Sequence, residues 1–293
     1  MANNTQMPGP KIRLLMTGAV ERGCLVAALL LSAVTFARAE PVHIVVPGRV
    51  YADLAEAIGG TLISISVIEP RSPSADRAIT FPSGSLVLCT GTRADAWLRE
   101  AASHAVPAVK VIEVYRPTHS QDGSIAFPWY DLAATIAFSH AIATELASRK
   151  PAAASRVDAN LSRLLADFKA IEDRVNEVAK DYARSDVIVA DDLSRDVARQ
   201  LKFKTKGLAN QSQQNMPAPA APVEDAILRR EGSIFLYDKD VPNPGIKRLI
   251  AAATDSGIPV VALQENLPTG LHYQRWALRQ WNTIHGALNE AAP

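Results

Sequence analysis

Apolar and polar positions along the chain fall into a repeating beat of short strand and helix. Residues 42–46 (VHIVV) form an apolar run ended by Pro47-Gly48, residues 51–58 carry helical spacing closed by Gly59-Gly60, and residues 62–68 (LISISVI) alternate as a strand. Residues 86–89 (LVLC), a helix through 94–102 and residues 109–114 (VKVIEV) repeat the unit. Strands alternating with helices predict a mostly parallel sheet covered on both faces.

From Asp131 the texture turns helical. Leu132, Ile136, Ile142 and Leu146 mark one helix. A stripe at Val157, Leu161, Leu164, Leu165, Phe168, Ile171, Val175, Val178 and Tyr182 then keeps steps of three and four. A helix over 152–184 has ~33 residues and a length of ~50 Å, more than one small domain requires. Beyond it the alternation restarts with strands at 186–190, 203–208, 233–237 and 258–263, separated by helices at 193–201, 223–230 and 246–256. Residues 210–222 (NQSQQNMPAPAAP) read as a surface loop, with Pro222 opening the next helix. A last helix places Trp276 and Trp281 on one apolar face with Tyr273, Ala277, Ile284 and Leu288. The fold class is therefore α/β: two lobes, each a mostly parallel sheet with flanking helices, joined by one long backbone helix with a ligand crevice between them.

The N-terminus carries an address. Lys11, Arg13 and Arg22 precede an uncharged run, residues 24–36 (CLVAALLLSAVTF), and Ala37-Arg38-Ala39 fits a small-x-small cleavage site before Glu40. The apolar run of 13 falls short of the ~20 residues of a membrane-spanning helix. The expected organisation is a signal peptide over 1–39, an N-terminal lobe over 40–150, a connecting helix over 151–184 and a C-terminal lobe over 185–293, exported to the periplasm and monomeric.

Composition narrows the function. The 293 residues are 48% hydrophobic and 21% charged, ordinary for a globular chain. Lysine plus arginine number 31 against 30 acids; without residues 1–39 the count is 27 − 29 = −2. Near neutrality gives nucleic acid no overall electrostatic handle, and none to an anionic membrane. Of two cysteines, Cys24 lies in the segment expected to be removed and Cys89 ends an apolar strand, where a small core residue is the expected role. No G-x-S-x-G elbow, H-E-x-x-H, Walker loop or strand-linked G-x-G-x-x-G occurs, so the sequence reads as a binding protein and not an enzyme.

Several stretches together resemble the zinc and manganese binding proteins of ABC importers. Residues 45–60 (VVPGRVYADLAEAIGG) are similar to that family's opening strand, helix and paired glycines. Thr90-Gly91 through Trp97-Leu98 resembles its N-G-x-G-x-E-x-W-L segment, and Trp129-x-Asp131 the end of its H-x-W-x-D motif. Residues 190–207 follow S-H-D-x-F-x-Y-x-A-x-x-x-G-L-x-x-x-G loosely, and Tyr273, Trp276, Asn282 and Ala287-Leu288 resemble its closing helix. The resemblance implies a partner, the ABC permease of an inner membrane, and a transported divalent ion, zinc or manganese, held between the lobes by three histidines and one carboxylate.

Those histidines are replaced here. The first position falls near Asp76, the second is Phe127, the third is Asp191, and the late carboxylate falls at Gln264 beside Glu265. The His-rich loop shrinks to residues 116–126 with His119 alone. Asp76, Asp191 and Gln264 as metal ligands would make an oxygen-rich set suited to Mn²⁺, Mg²⁺ or Ca²⁺. Asp191 and Asp192 also begin a helix, where carboxylates cap free N–H groups. Phe127 and Trp129 would suit a small-molecule metal complex or an organic ligand, or simply pack in the core. Asp238, in Tyr237-Asp238-Lys239-Asp240 after a strand of the second lobe, lies at the edge where α/β sheets bind ligands. Arg71, Arg77 and Lys239 are candidates to meet an anionic chelate. Two readings stay open: a solute-binding protein with a rebuilt site, or a vestigial site on a protein that docks on a transporter or metal-handling partner without carrying free metal.

Overall fold

The structure, a computed structural model, describes Met1 and residues 40–68, 79–92, 95–114, 127–207, 220–240 and 244–292. Residues 2–39 of the expected signal peptide, Asp76, Arg71, Arg77 and His119 lie outside the described residues. Residues 41–293 form one compact unit.

The first sheet contains β1 (Val42–Val46), β2 (Ile63–Val67), β3 (Leu86–Cys89) and β4 (Lys110–Glu113), all parallel, in the order β2-β1-β3-β4. The second repeats the plan with β5 (Asp186–Val189), β6 (Lys204–Lys206), β7 (Phe235–Asp238) and β8 (Val260–Leu263), in the order β6-β5-β7-β8. The central strands carry continuous apolar runs because both faces are covered: all four residues of β3 are buried, as are three of the four in β5. In each sheet the strand order reverses between the first and third strands, and the carboxyl ends flanking that reversal are where ligands of such sheets bind.

Helices follow the predicted periodicity. They are α1 (Arg49–Gly59), α2 (Ala96–Ser103), α3 (Leu132–Arg149), α4 (Ala154–Asp181), α5 (Asp192–Gln200), α6 (Ala220–Leu228), α7 (Ile246–Asp255) and α8 (Tyr273–Ala291). The long helix begins later than its periodicity suggests, because Pro151 opens a 3₁₀ turn over Pro151–Ala153. Its remaining 28 residues still reach ~42 Å. It buries Val157, Leu161, Leu164, Phe168, Ile171 and Val178, mainly against α3, α1 and α8. Trp276 and Trp281 on α8 are both fully inside. α6 starts two residues before Pro222, which therefore sits in the first turn, where its missing N–H costs nothing.

One apolar cluster runs through both lobes, from Val42, Ile44 and Leu88 on the first sheet to Val189, Leu236 and Leu263 on the second. Smaller clusters lie under α6 and α7 and under α2. Cys89 is fully buried, and burial pushes its thiol pKa up to about 12, so it behaves as a small core residue. No helix among the described residues is long and apolar enough to cross a membrane.

Candidate cation site at the carboxyl edge of the second sheet

Asp191 and Asp238 follow and end the two strands that flank the reversal of strand order in the second sheet. Asp191 is the N-cap of α5, extended at φ −158° and ψ 179°. Its Oδ1 accepts the Ser194 N–H at 2.8 Å, and Ser194 Oγ returns an interaction to the Asp191 N–H at 3.1 Å. This capping box satisfies donors that a helix start leaves free. Oδ2 of Asp191 accepts the Asp238 N–H at 2.6 Å, tying the two strand ends together. Burial raises the Asp191 carboxyl pKa above the usual range.

Asp238 is 3% exposed. Its Oδ1 accepts the Asp240 N–H at 2.8 Å, while its Oδ2 is buried with no hydrogen-bond partner among the described residues. Burial, followed by the charges of Asp191, Glu265 and Asp240, pushes its pKa up to about 7. Glu265 is raised too, by burial and then by Asp240 and Asp191. Asp240 Oδ2 accepts the Asn266 N–H at 3.0 Å and so ties the end of β7 to the turn after β8. Four carboxylates thus share one sheet edge, and their like charges help to raise Asp238 and Glu265, a situation that a bound cation reverses. They do not form a finished shell: among the described residues no three His, Cys, Asp or Glu side chains converge for a metal ion.

Gln264 is half-buried, and its backbone carbonyl is spoken for, accepting the Tyr130 hydroxyl at 2.7 Å. Gln280 Nε2 donates to the same hydroxyl oxygen at 2.9 Å, and the Tyr273 hydroxyl donates to the Trp129 carbonyl at 2.6 Å. The 3₁₀ turn Pro128–Tyr130 is therefore fastened to the second lobe through both of its aromatic residues. Sequence reasoning missed Tyr130 and Gln280, whose partners lie 134 and 150 residues away. It also missed Asp53 on α1, which is buried and accepts the Tyr273 N–H at 2.7 Å while contacting His272 Nδ1 at 2.8 Å, so that it caps α8 from across the chain.

Phe127 and Trp129 meet edge to face at 5.7 Å, and Trp129 meets Tyr51 at 6.0 Å. Both pack against the main core. The cavity beside Trp129, lined by Val50, Leu54, Pro128 and Phe138 among others, is about 10 Å³, room for about one water and not for an organic ligand. At the end of β3, Asp95 accepts the Thr90 N–H at 2.5 Å and its hydroxyl at 2.6 Å, which gives the segment resembling N-G-x-G-x-E-x-W-L a structural task. Lys239 is exposed.

The family described as "Zinc-uptake complex component A periplasmic" matches residues 44–287. The chain belongs to that family. No curated protein matches it. Among solved structures it is similar to a Mn-bound periplasmic metal binding protein from Candidatus Liberibacter asiaticus, at 15% identity and a TM-score of 0.67, covering 84% of this chain and 99% of the other. It is also similar to FpvC from Pseudomonas aeruginosa in complex with Ni²⁺, at 15% identity and a TM-score of 0.65, covering 87% and 99%, and to FpvC with Mn²⁺, at 15% identity and 0.65, covering 86% and 100%. At these identities the likeness establishes the two-lobed fold.

Proposed function

We propose that this protein is the periplasmic solute-binding component of a metal-type ABC importer, exported by a signal peptide over residues 1–39, and that its cargo is a divalent cation held through oxygen instead of histidine. Its lobes, 40–150 and 185–293 around the connecting helix 151–184, would deliver that ion to an inner-membrane permease. The observation that carries the reading is the buried Oδ2 of Asp238, without a hydrogen-bond partner among the described residues and subject to the charges of Asp191 and Glu265. An acceptor-only oxygen inside a low-dielectric edge lined by further carboxylates is costly without a cation and favourable with one. Asp191, whose carboxylate also holds α5 and β7, would fix that edge, and Gln264, Glu265 and, from the first lobe, Asp76 would supply further oxygens. Such a set suits Mn²⁺, Mg²⁺ or Ca²⁺ better than Zn²⁺.

The test is a thermal-shift screen of chelator-stripped protein against these ions, Zn²⁺, Ni²⁺ and small metal complexes. A ligand at 100 times its Kd adds ~2.7 kcal/mol, which for a chain of this size raises Tm by roughly 5–10 °C. A shift with a hard free ion supports the reading. A shift with metal complexes alone would contradict it and would require a site other than the small cavity beside Trp129, and none at all would favour a protein that docks on its partner without carrying metal.

A further inference from the structure

Three residues other than glycine adopt positive φ among the described residues: Arg184 at 65°, Lys202 at 58° and Arg230 at 52°. All three are basic. They occupy corresponding places: Arg184 lies between α4 and β5, Lys202 between α5 and β6, Arg230 between α6 and β7. The fourth such turn, between α7 and β8, uses Gly257 at φ 71°. The Lys202, Arg230 and Gly257 turns share one hydrogen-bond pattern, in which the left-handed residue donates three residues back and its successor five back. The pairs are Lys202 to Arg199 and Phe203 to Ala198, Arg230 to Ile227 and Glu231 to Ala226, and Gly257 to Thr254 and Ile258 to Ala253. Glycine is the residue that this helix ending favours, because a Cβ strains the left-handed conformation. At the same turn, in the same sheet, this chain carries a long cation twice and glycine once.

Because the four strands are parallel, every helix-to-strand turn lies at the amino edge of the sheet, opposite Asp191 and Asp238. The register aligns Asp186 with Lys204 and Ile188 with Phe235, so the order along that edge is Lys202, Arg184, Arg230. At ~4.8 Å per strand they span ~10 Å, comparable with the ~8 Å screening length of physiological salt. All three side chains are exposed. The same edge also carries carboxylates: Glu231, paired with Arg229 at 3.8 Å, Asp186, paired with Lys206 at 3.6 Å, and the exposed Asp181 and Asp255 at the ends of α4 and α7. Beside Arg229 and Arg230 stands Leu228, a large apolar side chain left 64% exposed. A chain near neutrality overall thus gathers cations and one bare apolar residue at a single edge, which a sum over the composition conceals.

We infer that the amino edge of the second sheet is an interaction surface for anionic phospholipid headgroups. The cations meet the headgroup charge, Leu228 enters the apolar boundary beneath it, and contact at this edge leaves the opposite, carboxyl edge free. Purified protein is sedimented with vesicles of phosphatidylglycerol and phosphatidylcholine in equal parts, and with phosphatidylcholine alone. Binding is expected on the anionic vesicles, strong at about 0.1 M salt and lost near 1 M, where screening shortens to ~3 Å. Each cation contributes about fivefold, so Arg184→Gly, Lys202→Gly and Arg230→Gly combined should weaken binding on the order of 100-fold while Tm stays level or rises, since glycine accepts these turns. Leu228→Ser with Arg229→Gln, at backbone positions free of that strain, should weaken it as well, and decides the matter if the triple variant does not fold. Equal binding to both vesicle types, or undiminished binding by a folded variant, overturns the inference. Binding to soluble dextran sulfate with none to vesicles overturns it too, in favour of an acidic macromolecule.

Discussion

Asp238 carries the account at the scale of single residues. Its folded-state pKa, about 7, stands above the ordinary 3.8, so between those values the folded chain holds a proton that the unfolded chain has released. Stability of the metal-free protein therefore falls as pH rises from about 4 to about 7, by an amount on the order of 3 kcal/mol. Asp238→Asn should remove most of this slope, which urea midpoints measured across pH will read. An identical slope in the variant would show that Asp238 is not the strained group. A carboxylate after a strand was visible in the sequence as a candidate for binding. That its Oδ2 is buried without a partner among the described residues was not, because the surroundings of that oxygen, including the charges of Asp191 and Glu265, come from segments far apart in the chain. Tyr130 teaches the same lesson: nothing local distinguishes it from its neighbour Trp129, and its bonds reach residues 264 and 280.

Among the elements, α5 shows one side chain doing two tasks. The periodicity of residues 193–201 predicts the helix, and Asp191 is legible as a cap, but the bond from its second oxygen to the Asp238 N–H requires the sheet. Asp191→Ala should cost about 2–4 kcal/mol, combining the lost cap with a buried N–H left unpaired. Asp191→Ser, which can still cap, should cost less. Equilibrium denaturation of the two variants checks the order, and equal losses would mean that the bond to Asp238 dominates. Loss of cation binding in Asp191→Ala alone would therefore say little about ligation, since the variant also releases the end of β7. The long helix was likewise readable from its three-and-four stripe, and only its ends shifted: Pro151 substitutes a 3₁₀ turn at the start, and the helix stops at Asp181, ahead of Arg184 with its positive φ.

For the whole molecule, the decisive feature is the apolar cluster that runs unbroken from the first lobe to the second. Burial shared between lobes couples their unfolding, so urea should produce one transition, with fluorescence of the buried tryptophans and far-UV circular dichroism coinciding. Two separated transitions would show that the lobes are independent. The family fold was legible because the order of strands, helices and Gly, Trp and Tyr positions is carried by the pattern of the chain; a ligand was not, because the histidines that the resemblance implies do not stand at the matching positions, and the remaining pattern specifies the frame alone. The measurement that bears most directly on the central claim is a calorimetric titration of Mn²⁺ into chelator-stripped protein at pH 8, in parallel with Asp238→Asn. The account predicts saturable one-to-one binding to the native chain, weakened at least tenfold in the variant. Absence of binding by the native protein, or equal affinity in both, would contradict it.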